Sequence, residues 1–485
     1  MSTRDSVTSF GVPLNLRGQA RHIANFALER VVQRSDTDPR GYEGVLAESY
    51  ELTPDQTAYV FHLREGIKFT DGSDFNAQAV KWNWDQVLAQ KDVRGVFTKV
   101  ASFEVVDDYT IRANLIEWDN LILEDFRHET AFIMSPTSYE QHGEEWCNTH
   151  PVGTGPFMLK EFVPMQMHEF ERNPGYWNQP YPYLDGLEFI LIADPLTAMA
   201  SFLAGEIDGL NEVQMELAED LVAKGYKHKE LVVGGTYSLE VASGVPESAW
   251  YDIRMRQALE YAIDKEKISD VLGGGFTSAM YEILRGSNAL ANPGTTPRNY
   301  DPEKAKQLMA EAGYAEGLQC KLFIEEKFYG DHVVAVQAQL AEVGIDIDID
   351  VMPGPAWMQE RFRRQTGDEL RWDRTRGRPS DLGILFYAHT DFASTSINYP
   401  GTRRPPEFEE LLAAAKKELD PAKRLEMIGQ MEKILYDDVF LVPINNVPDI
   451  EFITPDLKWD PDVDENMWWE AGDRQTRMEI CWLDR

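Results

Sequence analysis

The chain has 485 residues, which is too long for one hydrophobic core and typical of about three domains. Its 82 acidic and 47 basic residues give a formal net charge of −35, which argues against nucleic-acid binding and against anionic membrane surfaces. We interpret the excess of acidic residues as a feature that keeps a large surface soluble. The alternative interpretation is that the negative charge attracts a cationic ligand.

No apolar stretch reaches the ~18 residues that a membrane-spanning helix needs. The first residues lack the apolar core of a signal peptide, and we expect a mature form whose export signal has been removed. Three cysteines, Cys147, Cys320 and Cys481, are too few for a disulfide framework and allow at most one bridge.

Helices are predicted where a capping residue or a proline precedes an apolar stripe of helical spacing. These starts lie at Asn76, Asp252, Asp301, Asp331 and Pro406. Gly313 and Gly344 follow two of the stripes at the place of a left-handed C-terminal residue.

Strands are predicted between these helices. Residues 157–170 are typical of two strands around a turn near Val163-Pro164, and residues 187–192 of a buried strand. Residues 345–351 alternate Ile or Val with Asp, which indicates a strand with one buried face, and residues 439–444 form a further strand. The arginine-rich segment 368–381 is interpreted as an exposed loop. Helices that alternate with strands predict an α/β fold with helix-covered sheets.

The most informative segments are two short blocks, Pro-Val-Gly-Thr-Gly-Pro-Phe at 151–157 and Glu-Arg-Asn-Pro-Gly-Tyr-Trp at 171–177. Gly153, Gly155 and Pro156 predict a tight turn before the strand pair. Further blocks follow the same order along the chain, at residues 46–50 with 59–72, 203–208, 256–265 and 300–305. Together these blocks resemble family 5 of the extracytoplasmic solute-binding proteins, which serve ABC importers of peptides, nickel, opines and some oligosaccharides.

This resemblance implies a two-lobed periplasmic-binding-protein (Venus-flytrap) fold with an extra subdomain inserted in the first lobe. The predicted division is 1–36 (first lobe), 37–183 (inserted subdomain), 184–240 (first lobe), 241–445 (second lobe) and 446–485 (return to the first lobe). The two crossings between the lobes are expected near residues 238–243 and 445–447.

The resemblance also implies function. We expect a monomeric binding protein, not an enzyme, that captures a peptide-like or other small polar organic solute in an interlobe cleft, closes around it and delivers it to ABC permease and ATPase subunits. An oligosaccharide is the nearest alternative solute. A chemotaxis or signalling co-receptor and a cleft hydrolase are the alternative classes. The implied location is the periplasm, or an extracytoplasmic lipoprotein.

The residues themselves indicate no cofactor and no metal. The chain lacks a Walker-type phosphate loop, a Gly-x-Ser-x-Gly elbow and a His-Glu-x-x-His helix. The Asp346-Asp348-Asp350 series lacks the glycine of a calcium loop. The spacing of His142, Cys147 and His150 matches no zinc pattern. Met165 and Met167 share one face of a strand and His168 takes the other, which favours a structural role.

Candidate ligand contacts come from the resemblance and from position. Family peptide binders carry a Gly-Trp segment and then an Asp that pairs with the peptide amino group; in the corresponding stretch, 385–392, Tyr387 stands at the Trp position and Asp391 at the acidic one. His389 between them would make binding pH-sensitive. The candidates chosen by position, mostly aromatic side chains able to stack on a solute, are Phe10, Asn15, Tyr237, Phe328, Tyr329 and Trp357.

Overall fold

In a computed structural model the chain divides into two units, unit 1 with Met1–Lys229 and Ile450–Arg485, and unit 2 with Glu230–Asp449. The structure describes residues 2–3, 9–16, 20–35, 41–91, 95–211, 213, 215–231, 235–284, 296–375, 384–385, 388, 393, 398–459 and 478–484.

The strands, in chain order, are β1 Ser2–Thr3, β2 Val32–Arg34, β3 Tyr42–Gly44, β4 Ala47–Leu52, β5 Ala58–Leu63, β6 Val100–Asp107, β7 Thr110–Leu115, β8 Phe157–Val163, β9 Met167–Arg172, β10 Gly186–Leu191, β11 Gly209–Leu210, β12 Lys227–Leu231, β13 Thr236–Val241, β14 Leu318–Glu325, β15 Ile345–Met352, β16 Glu369–Thr375, β17 Leu441–Asn446, β18 Asp449–Ile453, β19 Leu457–Trp459 and β20 Cys481–Leu483.

The α-helices are α1 Ala20–Ala24, α2 Ala77–Ala89, α3 Ile122–Arg127, α4 Pro136–Cys147, α5 Pro195–Leu203, α6 Met215–Ala223, α7 Ile253–Ala262, α8 Lys265–Leu272, α9 Pro302–Glu311, α10 Asp331–Glu342, α11 Gly354–Arg361, α12 Pro406–Lys417 and α13 Pro421–Asp438. Short 3-10 helices span Pro13–Asn15, Glu129–Ala131, Ala249–Tyr251, Glu326–Phe328 and Met478–Ile480. Within the described residues, every helix is too short or too polar to cross a membrane.

Unit 1 is built on a seven-stranded sheet with the order β12-β18-β11-β1-β10-β9-β8 and carries a separate four-stranded sheet, β4-β5-β7-β6. Unit 2 is built on a five-stranded sheet with the order β15-β14-β16-β13-β17. The chain leaves unit 1 within β12 and returns within β18, and these two strands are neighbours in the sheet. The crossings expected near 238–243 and 445–447 instead fall on β13 and β17, which pair with each other in the sheet of unit 2.

The predicted strand pair is present as β8 and β9, which are joined by a turn in which Met165 has a φ of 62°. The predicted inserted subdomain, 37–183, includes this hairpin. The structure places it in the main sheet of unit 1, because β9 also pairs with β10 from Gly186 to Ile190. The remaining bounds of the inserted subdomain stay a prediction.

The predicted helix starts are confirmed, three of them by capping contacts and the other two because α10 begins at Asp331 and α12 at Pro406. The side chains of Asn76, Asp252 and Asp301 accept hydrogen bonds from backbone N–H groups in the first turn of α2, α7 and α9. Gly313 and Gly344 have φ values of 95° and 90°, the left-handed conformation expected after a helix. The apolar stripes of these helices are buried.

The segment 368–381 was predicted to be an exposed loop, and this prediction is wrong for its first half. Residues Glu369–Thr375 form β16, which lies between β14 and β13 in the sheet. Arg371 in this strand is 0% exposed and forms ion pairs with Glu240 at 3.1 Å and with Glu360 at 3.1 Å. Burial raises the pKa of Glu240 to about 7 although Arg371 lowers it. A buried counter-charge therefore makes an arginine compatible with a central strand.

The two blocks at 151–157 and 171–177 meet at one buried carboxylate. Glu29 accepts hydrogen bonds from the Thr154 hydroxyl at 2.8 Å, the Tyr176 hydroxyl at 2.9 Å and the Trp177 indole N–H at 2.9 Å. Burial raises the pKa of Glu29 to about 7 in spite of these donors. Gly153 is required by a close approach, because a Cβ atom there would lie 2.2 Å from the carbonyl oxygen of Ala27.

The three cysteines are all buried and form no disulfide bond with one another. Cys147 and Cys481 belong to the core of unit 1, and Cys320 belongs to the core of unit 2.

Candidate functional site

One edge of the sheet in unit 2 carries two of the predicted ligand residues, Tyr237 and Phe328. Strands β14, β15 and β16 are parallel, and β17 runs in the same direction because both it and β16 are antiparallel to β13. Their carboxyl ends therefore lie at the edge where β13 begins. In α/β sheets, ligands bind in the crevice beyond the carboxyl ends of the strands.

An aromatic cluster covers this edge. The ring of Tyr237, the second residue of β13, lies 6.2 Å from the ring of Phe328, 5.5 Å from that of His332 and 5.4 Å from that of Trp372. Tyr237 and Phe328 are half-buried, so each keeps part of its surface open to solvent. The structure thus brings these two predicted residues together. Sequence reasoning missed His332 and Trp372.

Asn445 near the end of β17 is the second feature of this edge. It pairs with Tyr237 across the sheet, next to an irregularity in the register. Its side chain is 0% exposed, and neither its amide nitrogen nor its amide oxygen makes a hydrogen bond within the described residues. A buried amide without partners costs about 1–3 kcal/mol, and such groups require an explanation, for example a bound water or ligand.

Two more buried polar atoms near Asn445 lack a partner among the described residues, the Ser238 hydroxyl and the Trp372 indole N–H. In the register of the sheet, Ser238 follows Tyr237 and lies opposite Asp373. The Trp372 indole N–H belongs to the aromatic cluster itself, so this edge carries polar groups that have no partner among the described residues. Sequence reasoning missed Asn445 and Ser238 as well, and their only signal was a polar residue within an apolar strand.

The other predicted residues of unit 2 differ in their surroundings. Tyr329 follows Phe328 and is 49% exposed, which suits a residue that gains contacts on binding. Trp357 lies in α11 and is 1% exposed. Tyr387, His389 and Asp391 lie outside the described residues, and their roles stay predictions.

The two predicted residues of unit 1 lie near each other in sequence and have different environments. Phe10 is fully buried in the core of unit 1, where its ring makes edge contacts with Phe162 at 5.1 Å and His168 at 4.8 Å. These contacts are those of a core residue. Asn15, in contrast, lines a cavity of about 110 Å³ between the 3-10 helix Pro13–Asn15, α2 and α4.

The described residues contain no group of three or more His, Cys, Asp or Glu side chains that could hold a metal ion. The rings of His142 and His150 both pack against the Trp146 ring, with centroids at 4.2 Å and 4.1 Å. His168 packs against Phe162 and Phe10 in the core, as its predicted structural role requires.

This chain is similar to a protein-family model, to curated proteins and to solved structures. A family model described as bacterial extracellular solute-binding proteins, family 5 Middle, matches residues 41–423. The glutathione-binding protein GsiB of Salmonella typhi is 28% identical over 464 residues, which cover 92% of this chain and 89% of that protein.

Among solved structures, DppA from Helicobacter pylori in complex with the peptide STSA superposes with a TM-score of 0.82 at 21% identity, covering 100% of this chain and 97% of that one. NikA from Brucella suis in complex with Fe(III)-EDTA superposes with a TM-score of 0.82 at 23% identity and covers 100% of both chains. At these identities, the structural likeness concerns the fold.

Proposed function

Since the chain belongs to family 5 of the bacterial extracellular solute-binding proteins, we propose that it captures a peptide-like or other small polar organic solute at the edge of the unit 2 sheet that carries Tyr237, Phe328 and Asn445. Its fold is the two-lobed α/β fold of the periplasmic binding proteins. By family it is a solute-binding protein of an ABC importer, and we propose that it has no enzymatic activity of its own.

The observation that carries the proposed solute class is the buried amide of Asn445 beside an aromatic cluster. A primary amide donates one hydrogen bond and accepts another, which is the complement of a peptide group. The flat faces of Tyr237 and Phe328 supply apolar contact at low entropic cost. Since sugar hydroxyls and sugar faces make similar contacts, an oligosaccharide is the second candidate.

Relatives supply the first compounds to test. The relative GsiB is a glutathione-binding protein, and solved structures of this fold hold the peptide STSA and the dipeptide Met-Leu. Each of these compounds has peptide groups that could pair with the Asn445 amide. We therefore place glutathione and short peptides ahead of opines and oligosaccharides.

The test is a thermal-shift screen of glutathione, di- to pentapeptides, opines and oligosaccharides, followed by calorimetric titration of the hits. A solute at 100 times its Kd stabilises the protein by about 2.7 kcal/mol, which is readily detected. Tyr237→Leu should weaken binding of the best hit about tenfold, whereas Tyr251→Leu, at an exposed tyrosine elsewhere in unit 2, should leave it unchanged. Equal affinities of the two variants would refute the proposed edge.

We also propose which transport components the protein serves and where in the cell it acts. The family is extracellular, and we place the protein outside the cytoplasmic membrane, periplasmic or lipid-anchored, where it delivers its solute to one cognate permease with its ATPase subunits. Solute-stimulated ATPase activity of that permease complex in proteoliposomes tests the partnership. A complex whose activity does not respond to the loaded protein would refute it.

A further inference from the structure

A small cavity in unit 1 has the chemistry of a cation site. It measures about 110 Å³ and lies between α2, α4 and the 3-10 helix Pro13–Asn15. Trp82 and Tyr139 form one aromatic wall, with ring centroids 5.2 Å apart and an angle of 62° between the rings. The negative faces of aromatic rings attract cations.

A carboxylate lies at the same wall. Glu144 accepts a hydrogen bond from the Asn15 amide nitrogen at 2.8 Å through Oε1, and one from the Tyr139 hydroxyl at 3.2 Å through Oε2. Both donors are neutral, and Glu144 forms no ion pair with any described residue. The carboxylate is therefore held in position while its charge remains uncompensated.

The other polar side chains that line the cavity are uncharged. The Asn15 amide nitrogen is used by Glu144 and by the side-chain oxygen of Asn148 at 2.8 Å, which leaves the Asn15 oxygen as an acceptor. Gln86 and Gln90 lie one turn apart on α2, and their exposed side chains make no hydrogen bond with a described residue. The described residues that line the cavity include one carboxylate and no Lys or Arg.

We propose that this cavity binds a small organic cation, an ammonium or guanidinium group, between the Trp82 and Tyr139 rings and the Glu144 carboxylate. The volume sets the size of the guest, because an apolar cavity of ~150 Å³ holds benzene and a water molecule occupies about 30 Å³. A group of roughly four to seven non-hydrogen atoms therefore fits. The net charge of −35 raises the local concentration of cations at the surface. This site lies within unit 1 and does not depend on the proposed solute.

The test compares two probes of the same shape, ethylguanidinium, which is charged, and ethylurea, which is neutral. Each is titrated into the full-length protein at constant chloride concentration, and the indole N–H signal of Trp82 is followed by NMR after assignment with Trp82→Phe. We expect saturable binding of ethylguanidinium in the millimolar range, as a few contacts allow, and no saturation with ethylurea. Equal responses to the two probes would overturn the proposal.

Two variants of helix α4 distinguish specific binding at Glu144 from non-specific attraction of the cation by the negatively charged protein. Glu144→Gln should weaken ethylguanidinium binding at least tenfold, whereas Glu145→Gln, which removes the same charge from the next, equally exposed residue that does not line the cavity, should change it less than twofold. Tyr139→Phe keeps the ring and removes the hydrogen bond to Glu144, and should weaken binding two- to fivefold. Equal losses in Glu144→Gln and Glu145→Gln would show bulk attraction only and would refute the site.

Discussion

Replacing Asn445 by Leu is expected to keep unit 2 folded while weakening solute binding. Leu branches at the same atom as Asn, and the buried Asn445 amide has no hydrogen-bond partner among the described residues. The substitution therefore removes a desolvation cost of about 1–3 kcal/mol without breaking a protein hydrogen bond. The free energy of unfolding of unit 2 should stay the same or rise by up to that amount.

The affinity of Asn445→Leu for the solute should fall, in contrast to its stability. If the Asn445 amide makes two hydrogen bonds to the solute, each worth about 0.5–1.5 kcal/mol, its loss weakens binding by roughly 1–3 kcal/mol, a factor of about 5–150. Such a gain in stability with a loss of function is typical of residues selected for a ligand.

The neighbouring Asn446 provides the matched control. Its side-chain oxygen accepts hydrogen bonds from the backbone N–H and the hydroxyl of Ser278, the latter at 3.0 Å. Asn446→Leu removes both hydrogen bonds, and because Ser278 is exposed and can bind water instead, the stability of unit 2 should fall by only about 0.5–1.5 kcal/mol.

Hydrogen exchange of peptides from β13 and β17 measures the stability of unit 2, and calorimetry with the best solute measures its affinity. A less stable Asn445→Leu variant, or one with unchanged affinity, would refute the assignment of Asn445 to the solute.

Three further predictions concern the buried charges and the close backbone contact. Arg371→Met should destabilise unit 2 by about 3–5 kcal/mol at pH 8, because Glu240 stays buried without its counter-charge. The loss should be smaller at pH 5, where Glu240 is protonated. Hydrogen exchange of β16 at both pH values tests this. The pKa of Glu29 is raised from 4.5 to about 7, so its contribution to stability is present below pH 4.5 and lost as the pH rises through 7. Denaturant titrations should show unit 1 losing up to about 3 kcal/mol between pH 5 and 8, and Glu29→Gln should flatten that dependence. Gly153→Ala should cost unit 1 about 1–3 kcal/mol in its melting transition, because its Cβ would meet the carbonyl oxygen of Ala27 at 2.2 Å.

The helices could be predicted because their signals are local. Asn76 and Asp252 act on N–H groups two or three residues away, and Gly313 adopts a conformation that its own missing side chain permits. Residues 345–351 likewise show their buried face by alternation alone. In such segments, sequence neighbours supply most of the physical constraint.

Strand β16 could not be predicted because the contacts that stabilise it come from residues far away in the sequence. Arg371 looks like a surface residue in its own sequence context, and its partner Glu240 lies 131 residues away. Only the register between β13 and β16 places the two charges together. The same argument applies to Asn445, since its burial and lack of partners depend on strands from separate parts of the chain. Tyr237 and Phe328 were accessible to prediction because each stands next to the end of a strand.

The two signature blocks identify the family without revealing the solute, and the structure explains why. Pairing of Phe157 with Arg172 at the open end of the β8–β9 hairpin holds the blocks side by side, so that Thr154 and Tyr176 both reach Glu29. The motif therefore stabilises the open end of a hairpin through hydrogen bonds to one buried carboxylate. A protein that keeps this hydrogen-bonded structure keeps the two sequence blocks, whatever solute it binds. The solute must then be determined by residues outside the motif, and the unpartnered amide of Asn445 is the first of these to test.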